Sequence, residues 1–273
     1  MSILFSGALR PYATKEKDKG LSVITKKSLM EKYLSKLCQT YNGIKYHIML
    51  GDAGFLWPGN YKVDRNNFGI LSNRPFPILC VAGNHDPILG MKDVPETDIG
   101  IGETVYQIHY KPFVAYLKRG KVYTIDGIKT LVLGGALSVN KDKLKPNVTW
   151  WKQEYWSEQE KQDVFKLLET ENVFDLVISH TGPHRINKLL FDHRVNQIGR
   201  SPKKFTDEVA FLNDEICRKI QFREWWCSHW RCDEYYYDPE TNQVYQYLYN
   251  QTKVIEKKDG VMSLTNEFFF PDR

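Results

Sequence analysis

Residues 80–87 read Cys-Val-Ala-Gly-Asn-His-Asp-Pro, and the predicted arrangement of the chain follows from them. The apolar run 76–82 ends at Gly83, and three polar residues follow at once: Asn84, His85 and Asp86. A short apolar run that ends at a glycine is typical of a buried strand. Because α/β proteins place functional groups beyond the carboxyl ends of such strands, we expect the chemistry of this protein to lie here.

Three further apolar runs end in the same way. The runs and the residues that follow them are 46–50 with Asp52, 175–179 with His180, and 222–227 with His229. Together with Asn84 they supply one carboxylate oxygen, one amide oxygen and two imidazole nitrogens. Such a mixed set suits Mn²⁺, Fe²⁺ or Zn²⁺ better than Mg²⁺ or Ca²⁺, which prefer oxygen ligands. The four strand ends therefore predict a site for one divalent metal ion, although Asp52 and Asn84 taken singly are also ordinary turn residues.

Strand and helix patterns alternate along the chain. A strand at 2–7 precedes a helix at 26–41, whose apolar residues recur at helical spacing, and β segments follow between 105 and 136. The dipeptide Asp126-Gly127 predicts a hairpin turn, because both residues accept the positive φ of a type I′ turn. Ser157 and Glu160 predict a capping box for a helix that runs to about residue 170.

The remaining patterns complete the predicted architecture. After the strand at 175–179 we predict a basic polar loop through Arg194, Arg200, Lys203 and Lys204, then a helix at 207–219 and a closing strand at 244–249. No internal repeat or low-complexity linker interrupts the chain. The predicted fold class is α/β, with two facing mixed β-sheets flanked by helices, in a single domain of residues 1–273.

Composition limits the classes of function. The 273 residues carry 38 basic and 33 acidic side chains, and the net charge of +5 is spread along the chain. An interspersed positive balance tolerates anionic ligands but does not indicate a nucleic-acid surface. No apolar run reaches the about 18 residues that a membrane span needs, so we expect no membrane contact. The five cysteines, an odd number in mostly apolar surroundings, favour reduced thiols and a cytoplasmic protein.

Taken together, the motifs resemble those of the calcineurin-like metallophosphoesterases. Each motif is weak alone, but four of them in this order at strand ends are hard to obtain by accident. The motifs are Gly51-Asp52, Gly83-Asn84-His85-Asp86, Ser179-His180 and Ser228-His229. The sequence also resembles the compact bacterial and phage-type members of this family in Gly134-Gly135-Ala136, Trp150-Trp151 and Glu154.

This resemblance implies a four-layer sandwich and a phosphoesterase site. In the family, two metal ions about 4 Å apart share a bridging Asp and a bridging water or hydroxide that attacks phosphorus. The resemblance makes Asp52 that bridge, and Asn84, His180 and His229 the other ligands of one ion. His85 would be the general acid that protonates the leaving oxygen, with Asp86 as its partner.

The sequence departs from the family at the other metal. The Asp-x-His motif expected after the first strand falls on Ala8-Leu9-Arg10, and the last His of Gly-His-x-His falls on Arg231. We therefore expect a second metal to be absent. A guanidinium cannot bind a metal ion but can bind phosphate with two hydrogen bonds, so Arg10 and Arg231 are predicted to replace that ion at the substrate. Alternatively, these arginines pair with nearby carboxylates and close a dead site.

Two functions remain open from the sequence. One is a divergent metallophosphoesterase of reduced activity that hydrolyses a phosphomonoester or phosphodiester, with nucleotides among the candidates. The other is an inactive relative that binds a phosphorylated ligand or a protein partner. Lesser alternatives are a thiolate zinc site at Cys227, His229 and Cys232, a pocket role for His184, and substrate contacts by Arg185 and the basic loop.

Overall fold

The computed structural model describes residues 2–7, 43–56, 76–111, 113–139, 141–148, 150–198, 207–249 and 251–269. For residues 193–198 and 265–269 only the backbone is described. The predicted helix at 26–41 and the predicted phosphate ligand Arg10 lie outside the described residues, as do Arg200, Lys203 and Lys204.

Fourteen strands and three α-helices form within the described residues. The strands are β1 (Ser2–Ser6), β2 (Ile44–Met49), β3 (Ile78–Cys80), β4 (Glu96–Thr97), β5 (Val105–His109), β6 (Val114–Tyr116), β7 (Lys121–Ile125), β8 (Ile128–Leu133), β9 (Val173–Ser179), β10 (Gln221–Cys227), β11 (Glu234–Asp238), β12 (Gln243–Tyr247), β13 (Gln251–Lys258) and β14 (Val261–Phe269). The helices are α1 (Glu158–Thr170), α2 (His184–Ile198) and α3 (Glu208–Cys217). Short 3-10 turns occur at Pro87–Gly90, Lys141–Lys143 and Lys152–Glu154.

The strands form two mixed sheets. The eight-stranded sheet has the order β14-β13-β1-β2-β3-β6-β5-β4, and the six-stranded sheet has the order β11-β12-β10-β9-β8-β7. In each sheet four neighbouring strands are parallel, and antiparallel strands complete the edges. The carboxyl ends of β2 and β3 thus lie side by side in one sheet, and those of β9 and β10 in the other.

A shared apolar core joins the two sheets. Along β1, Ile3 and Phe5 face the other sheet, whereas Leu4 faces the opposite way, as the two-residue period of a strand requires. The Phe5 ring meets the Trp226 ring of the six-stranded sheet edge to face, with centroids 4.7 Å apart. A separate cluster buries the three helices against the outer face of the six-stranded sheet, as with Val164 of α1. The predicted fold class, two facing mixed sheets with helices, is confirmed.

Two local predictions are confirmed by the structure. Asp126 and Gly127 form the hairpin turn between β7 and β8, with φ of 47° and 79°. Ser157 caps α1, and Glu160 completes the capping box: the Ser157 side chain accepts from the Glu160 N–H, and the Glu160 side chain accepts from the Ser157 N–H. None of the described helices has the length and apolar composition of a membrane span.

Two other predictions are wrong. Residues 184–198, which include Arg194 of the predicted basic loop, form α2, because Ile186 and Leu190, one helical turn apart, are both buried against the sheet. The predicted closing strand does not end the fold: β12 pairs within the six-stranded sheet, and the chain then returns as β13 beside β1 of the other sheet.

Candidate metal centre

The four predicted metal ligands meet where the two sheets come together. Asp52 and Asn84 follow β2 and β3, whereas His180 and His229 follow β9 and β10. His180 Nε2 lies 3.1 Å from Asn84 Oδ1, 3.5 Å from Asp52 Oδ1 and 3.3 Å from His229 Nδ1. Atoms bound to one ion at about 2.1 Å lie about 3.0–3.4 Å from one another, and the three separations from His180 Nε2 lie within or just above this range. We call these four residues the strand-end centre.

The hydrogen bond of His180 to the other sheet decides which of its nitrogens faces the centre. His180 Nδ1 lies 2.7 Å from the Leu50 carbonyl oxygen, which can only accept, so Nδ1 carries a proton. In the neutral ring Nε2 then presents a lone pair toward Asn84 Oδ1 and Asp52 Oδ1, which also present lone pairs. A cation among these atoms, either a proton on Nε2 or a metal ion, would remove the repulsion between these lone pairs, and an N–H on His229 Nδ1 could also donate to Nε2.

Charge and burial act in opposite directions on His180. Its side chain is fully buried, which lowers its pKa, but the Asp52 carboxylate and the Leu50 carbonyl raise the pKa, and the net direction is upward. The centre thus attracts positive charge. Among the described residues, no three or more His, Cys, Asp or Glu side chains form a cluster that could hold a metal ion by themselves. Asp52, His180 and His229 therefore do not make such a cluster by themselves, and a metal ion at the strand-end centre would need the Asn84 amide oxygen as well.

The backbone is strained at two of the four residues. Asp52 and His229 have φ of 53° and 52°, in the left-handed region that non-glycine residues seldom adopt. Each such residue costs about 1–3 kcal/mol, and strain of this kind is concentrated at functional sites. Asp52 is the third residue after β2 and His229 the second after β10, so both strained residues lie in the turns that follow strand ends.

Asn84 is oriented by its amide nitrogen. Asn84 Nδ2 donates to Ser138 Oγ at 2.8 Å, and this bond directs the amide oxygen toward His180. Asn84 is 2% exposed, so the amide has little access to water. The sequence prediction did not include Ser138; its only signal was its place shortly after the strand that ends in Gly134-Gly135.

His85 and Asp86 are both hydrogen-bonded to the loop that carries Asp52. His85 is half-buried, and its main-chain N–H donates to Asp52 Oδ1 at 3.0 Å. The buried Asp86 carboxylate accepts from the N–H groups of Gly83, Ala53 and Gly54 at 2.9, 3.4 and 3.5 Å. It also accepts from the Tyr116 hydroxyl at 3.1 Å. Burial and the Asp52 charge raise the pKa of Asp86. Asp86 thus joins the two loops that carry Asp52 and Asn84.

The remaining predicted site residues lie around the centre. Arg231 is exposed, two residues after His229, and has a φ of 50°. His184 stacks on Phe211 at 4.0 Å, and Arg185 binds Asp238 and the Tyr245 hydroxyl at 3.3 and 2.7 Å. His184 and Arg185 therefore pack helix α2 onto its surroundings. Cys227 and Cys232 are buried free thiols, like Cys80 and Cys217.

Comparisons with known proteins show the fold. No family model and no curated protein matches the sequence. A dimetal phosphatase from Danio rerio superimposes with a TM-score of 0.50 and 10% identity, over 97% of this chain and 95% of that one. The anchor of the inner membrane complex of Plasmodium gives 0.47 and 9%, over 98% and 88% of the chains. The phosphopantetheinyl hydrolase of Mycobacterium tuberculosis gives 0.46 and 11%, over 91% and 89%. The chain thus has the fold of that dimetal phosphatase.

Proposed function

We propose that this protein is a metal-dependent phosphoesterase that holds one divalent ion through Asp52, Asn84, His180 and His229. One observation carries the proposal: ligand atoms from four strand ends in two sheets meet within 3.5 Å of His180 Nε2. The fold shared with a dimetal phosphatase supports the reaction class by analogy only. The mixed nitrogen and oxygen set favours Mn²⁺, Fe²⁺ or Zn²⁺.

The side chains have separate roles in this proposal. A divalent ion held by these four residues would polarise a phosphoryl oxygen and lower the pKa of bound water. His85, half-buried beside Asp52, holds a proton that it gives to the leaving oxygen. Arg231, exposed next to His229, supplies positive charge for the phosphate, together with Arg10. The substrate class is a phosphorylated small molecule, with nucleotides among the candidates.

A second candidate is a protein that binds a phosphorylated ligand without hydrolysing it. The observation that favours it is the loss of the family's other metal ligands, since Ala8, Arg10 and Arg231 occupy their positions. A site with one ion lacks a doubly activated bridging hydroxide, so hydrolysis is expected to be slow.

Metal analysis and a hydrolysis assay test the proposal. We expect purified protein to bind about one Mn²⁺ and to hydrolyse bis-p-nitrophenyl phosphate or a cyclic nucleotide in its presence. His85→Ala should abolish hydrolysis but keep Mn²⁺, because the main-chain bond to Asp52 remains; Asp52→Asn should lose both. Hydrolysis that survives His85→Ala would contradict the role of that residue. Bound Mn²⁺ without hydrolysis in the unaltered chain would favour the second candidate.

A further inference from the structure

The orientation of Asn84 matters because its amide has two unlike ends. Only the oxygen can bind a cation, whereas the NH₂ group would direct its protons at the ion. A rotation of 180° about the last side-chain bond exchanges the two ends with little change in shape. Something beside Asn84 must therefore fix which end faces His180.

A buried chain of hydrogen bonds supplies that control. Asn84 Nδ2 lies 2.8 Å from Ser138 Oγ, and Ser138 Oγ lies 2.6 Å from Glu154 Oε2. The Ser138 N–H also approaches Glu154 Oε1, at 3.3 Å. Asn84, Ser138 and Glu154 are only 2%, 2% and 1% exposed. A serine hydroxyl has one proton, and here the carboxylate accepts it, so the Ser138 oxygen must accept from the Asn84 NH₂ group. The amide oxygen is left to face the centre.

The segment that carries Glu154 is itself held firmly. Arg119 donates to the carbonyl oxygens of Gln153 and Tyr155, both at 3.0 Å, on either side of Glu154. Gly135 has a φ of 89°, and a Cβ there would lie 2.3 Å from the Glu154 carbonyl oxygen. The main chain of Glu154 therefore packs directly on the turn that leads to Ser138, and a side chain at position 135 would separate them.

We infer that Glu154 and Ser138 act as positioning residues, which fix the Asn84 amide with its oxygen directed at the metal ion. This inference rests on the proposed metal centre. Second-sphere partners of this kind change metal affinity by about 10–100-fold when they are removed. The Ser138–Glu154 hydrogen bond could also stabilise the fold without any effect on Asn84. The test therefore has to separate the orientation of the Asn84 amide from the stability of the protein.

A double-mutant cycle makes this separation. Ser138→Ala should weaken Mn²⁺ binding by about 10–100-fold, measured by calorimetric titration of the full chain. In an Asn84→Asp background the same substitution should cost less than about threefold, because a carboxylate presents oxygen from either end. Thr130→Val is the matched control, since the Thr130 hydroxyl is equally buried but donates to the Ile128 carbonyl oxygen. It should leave Mn²⁺ affinity unchanged.

The outcomes distinguish this inference from the proposed function. If Ser138→Ala lowers Mn²⁺ affinity equally in the Asn84 and Asn84→Asp backgrounds, or in neither, the orienting role is overturned. Failure of the unaltered chain to bind Mn²⁺ would overturn the proposed function and the orienting role with it.

The hydrogen-bond chain itself is checked without metal by NMR. The Asn84 side-chain NH₂ signal, identified by its loss in Asn84→Asp, should shift in Ser138→Ala and Glu154→Gln but not in Thr130→Val. An unshifted signal refutes the chain.

Discussion

Gly51 shows how a single residue permits the His180 contact. Its φ is 88°, and a Cβ there would lie 2.2 Å from His180 Nδ1. The imidazole therefore occupies the space that a side chain at position 51 would need. Without that space, Nδ1 could not reach the Leu50 carbonyl oxygen, and Nε2 would lose its fixed direction toward Asp52.

We predict that Gly51→Ala loses both stability and metal binding. The positive φ costs about 1–2 kcal/mol and the crowding about 1–3 kcal/mol more, as measured by urea unfolding. Gly100→Ala is the control, because Gly100 has a φ of 75° and nothing within 4 Å of its added Cβ. Gly100→Ala should lose only the stability that the positive φ costs, and its Mn²⁺ affinity should be normal. Equal effects of the two substitutions would show that the space beside His180 is unimportant.

Asp86 has hydrogen bonds that favour a structural role. Asp86→Asn should lower the free energy of unfolding by about 2–3 kcal/mol and weaken Mn²⁺ binding, because its added NH₂ group faces main-chain donors. Tyr116→Phe, which removes only the hydroxyl donor, should cost about 1 kcal/mol. If Asp86 instead served His85 as first predicted, Asp86→Asn would chiefly change the pH profile of hydrolysis at nearly normal stability.

At the level of single residues, the sequence predicted the strand-end centre but not its support. Asp52, Asn84, His180 and His229 were found because apolar runs mark strand ends, and strand ends of two sheets can meet. Ser138 and Glu154 lie 16 residues apart at the two ends of one loop, and these ends approach each other only in the folded chain. No periodicity records such a contact, so the sequence could not assign their partners.

The capping box of α1 is the clearest test at the level of elements. Ser157→Ala should lower the free energy of unfolding by about 1 kcal/mol, since the Glu160 N–H loses its acceptor. Mn²⁺ affinity should not change, because the substitution leaves in place the Glu160 ion pair with Arg119, at 2.8 Å, which holds the segment that carries Glu154. Thermal and urea unfolding measure the first quantity, and calorimetric titration the second. A substantial fall in Mn²⁺ affinity would mean that the α1 N-terminus is coupled to the centre.

Elements were predictable where the pattern was strong and local. Asp126-Gly127 specified the β7–β8 turn, and Asp259-Gly260 has the same signature between β13 and β14, with φ of 52° and 80°. The second hairpin was overlooked, although its signal was present. Helix α2 was missed for a different reason: charged residues crowd its sequence and hide the helical spacing of Ile186 and Leu190. No local pattern could indicate that β13 pairs with β1, because the order of strands in a sheet depends on contacts between residues distant in sequence.

For the whole molecule, the proposed metal centre would take two ligands from each sheet. The sheets already share an apolar core, and the His180 bond to Leu50 joins them at the carboxyl ends of the strands. An ion held by all four residues would therefore add a polar link between the sheets. Because such an ion binds only the folded chain, its binding free energy adds to the stability of the whole fold.

We accordingly predict that Mn²⁺ stabilises the protein against unfolding. At about 100 times the dissociation constant the free energy of unfolding should rise by about 2.7 kcal/mol, and a chelator should reverse the increase. Asn84→Ala and His229→Ala remove one ligand from each sheet, and each should abolish most of the increase. Ser157→Ala lowers the starting stability but should keep the full increase, which separates metal linkage from general weakening. If both ligand variants respond to Mn²⁺ like the unaltered chain, the ion binds elsewhere and does not link the two sheets.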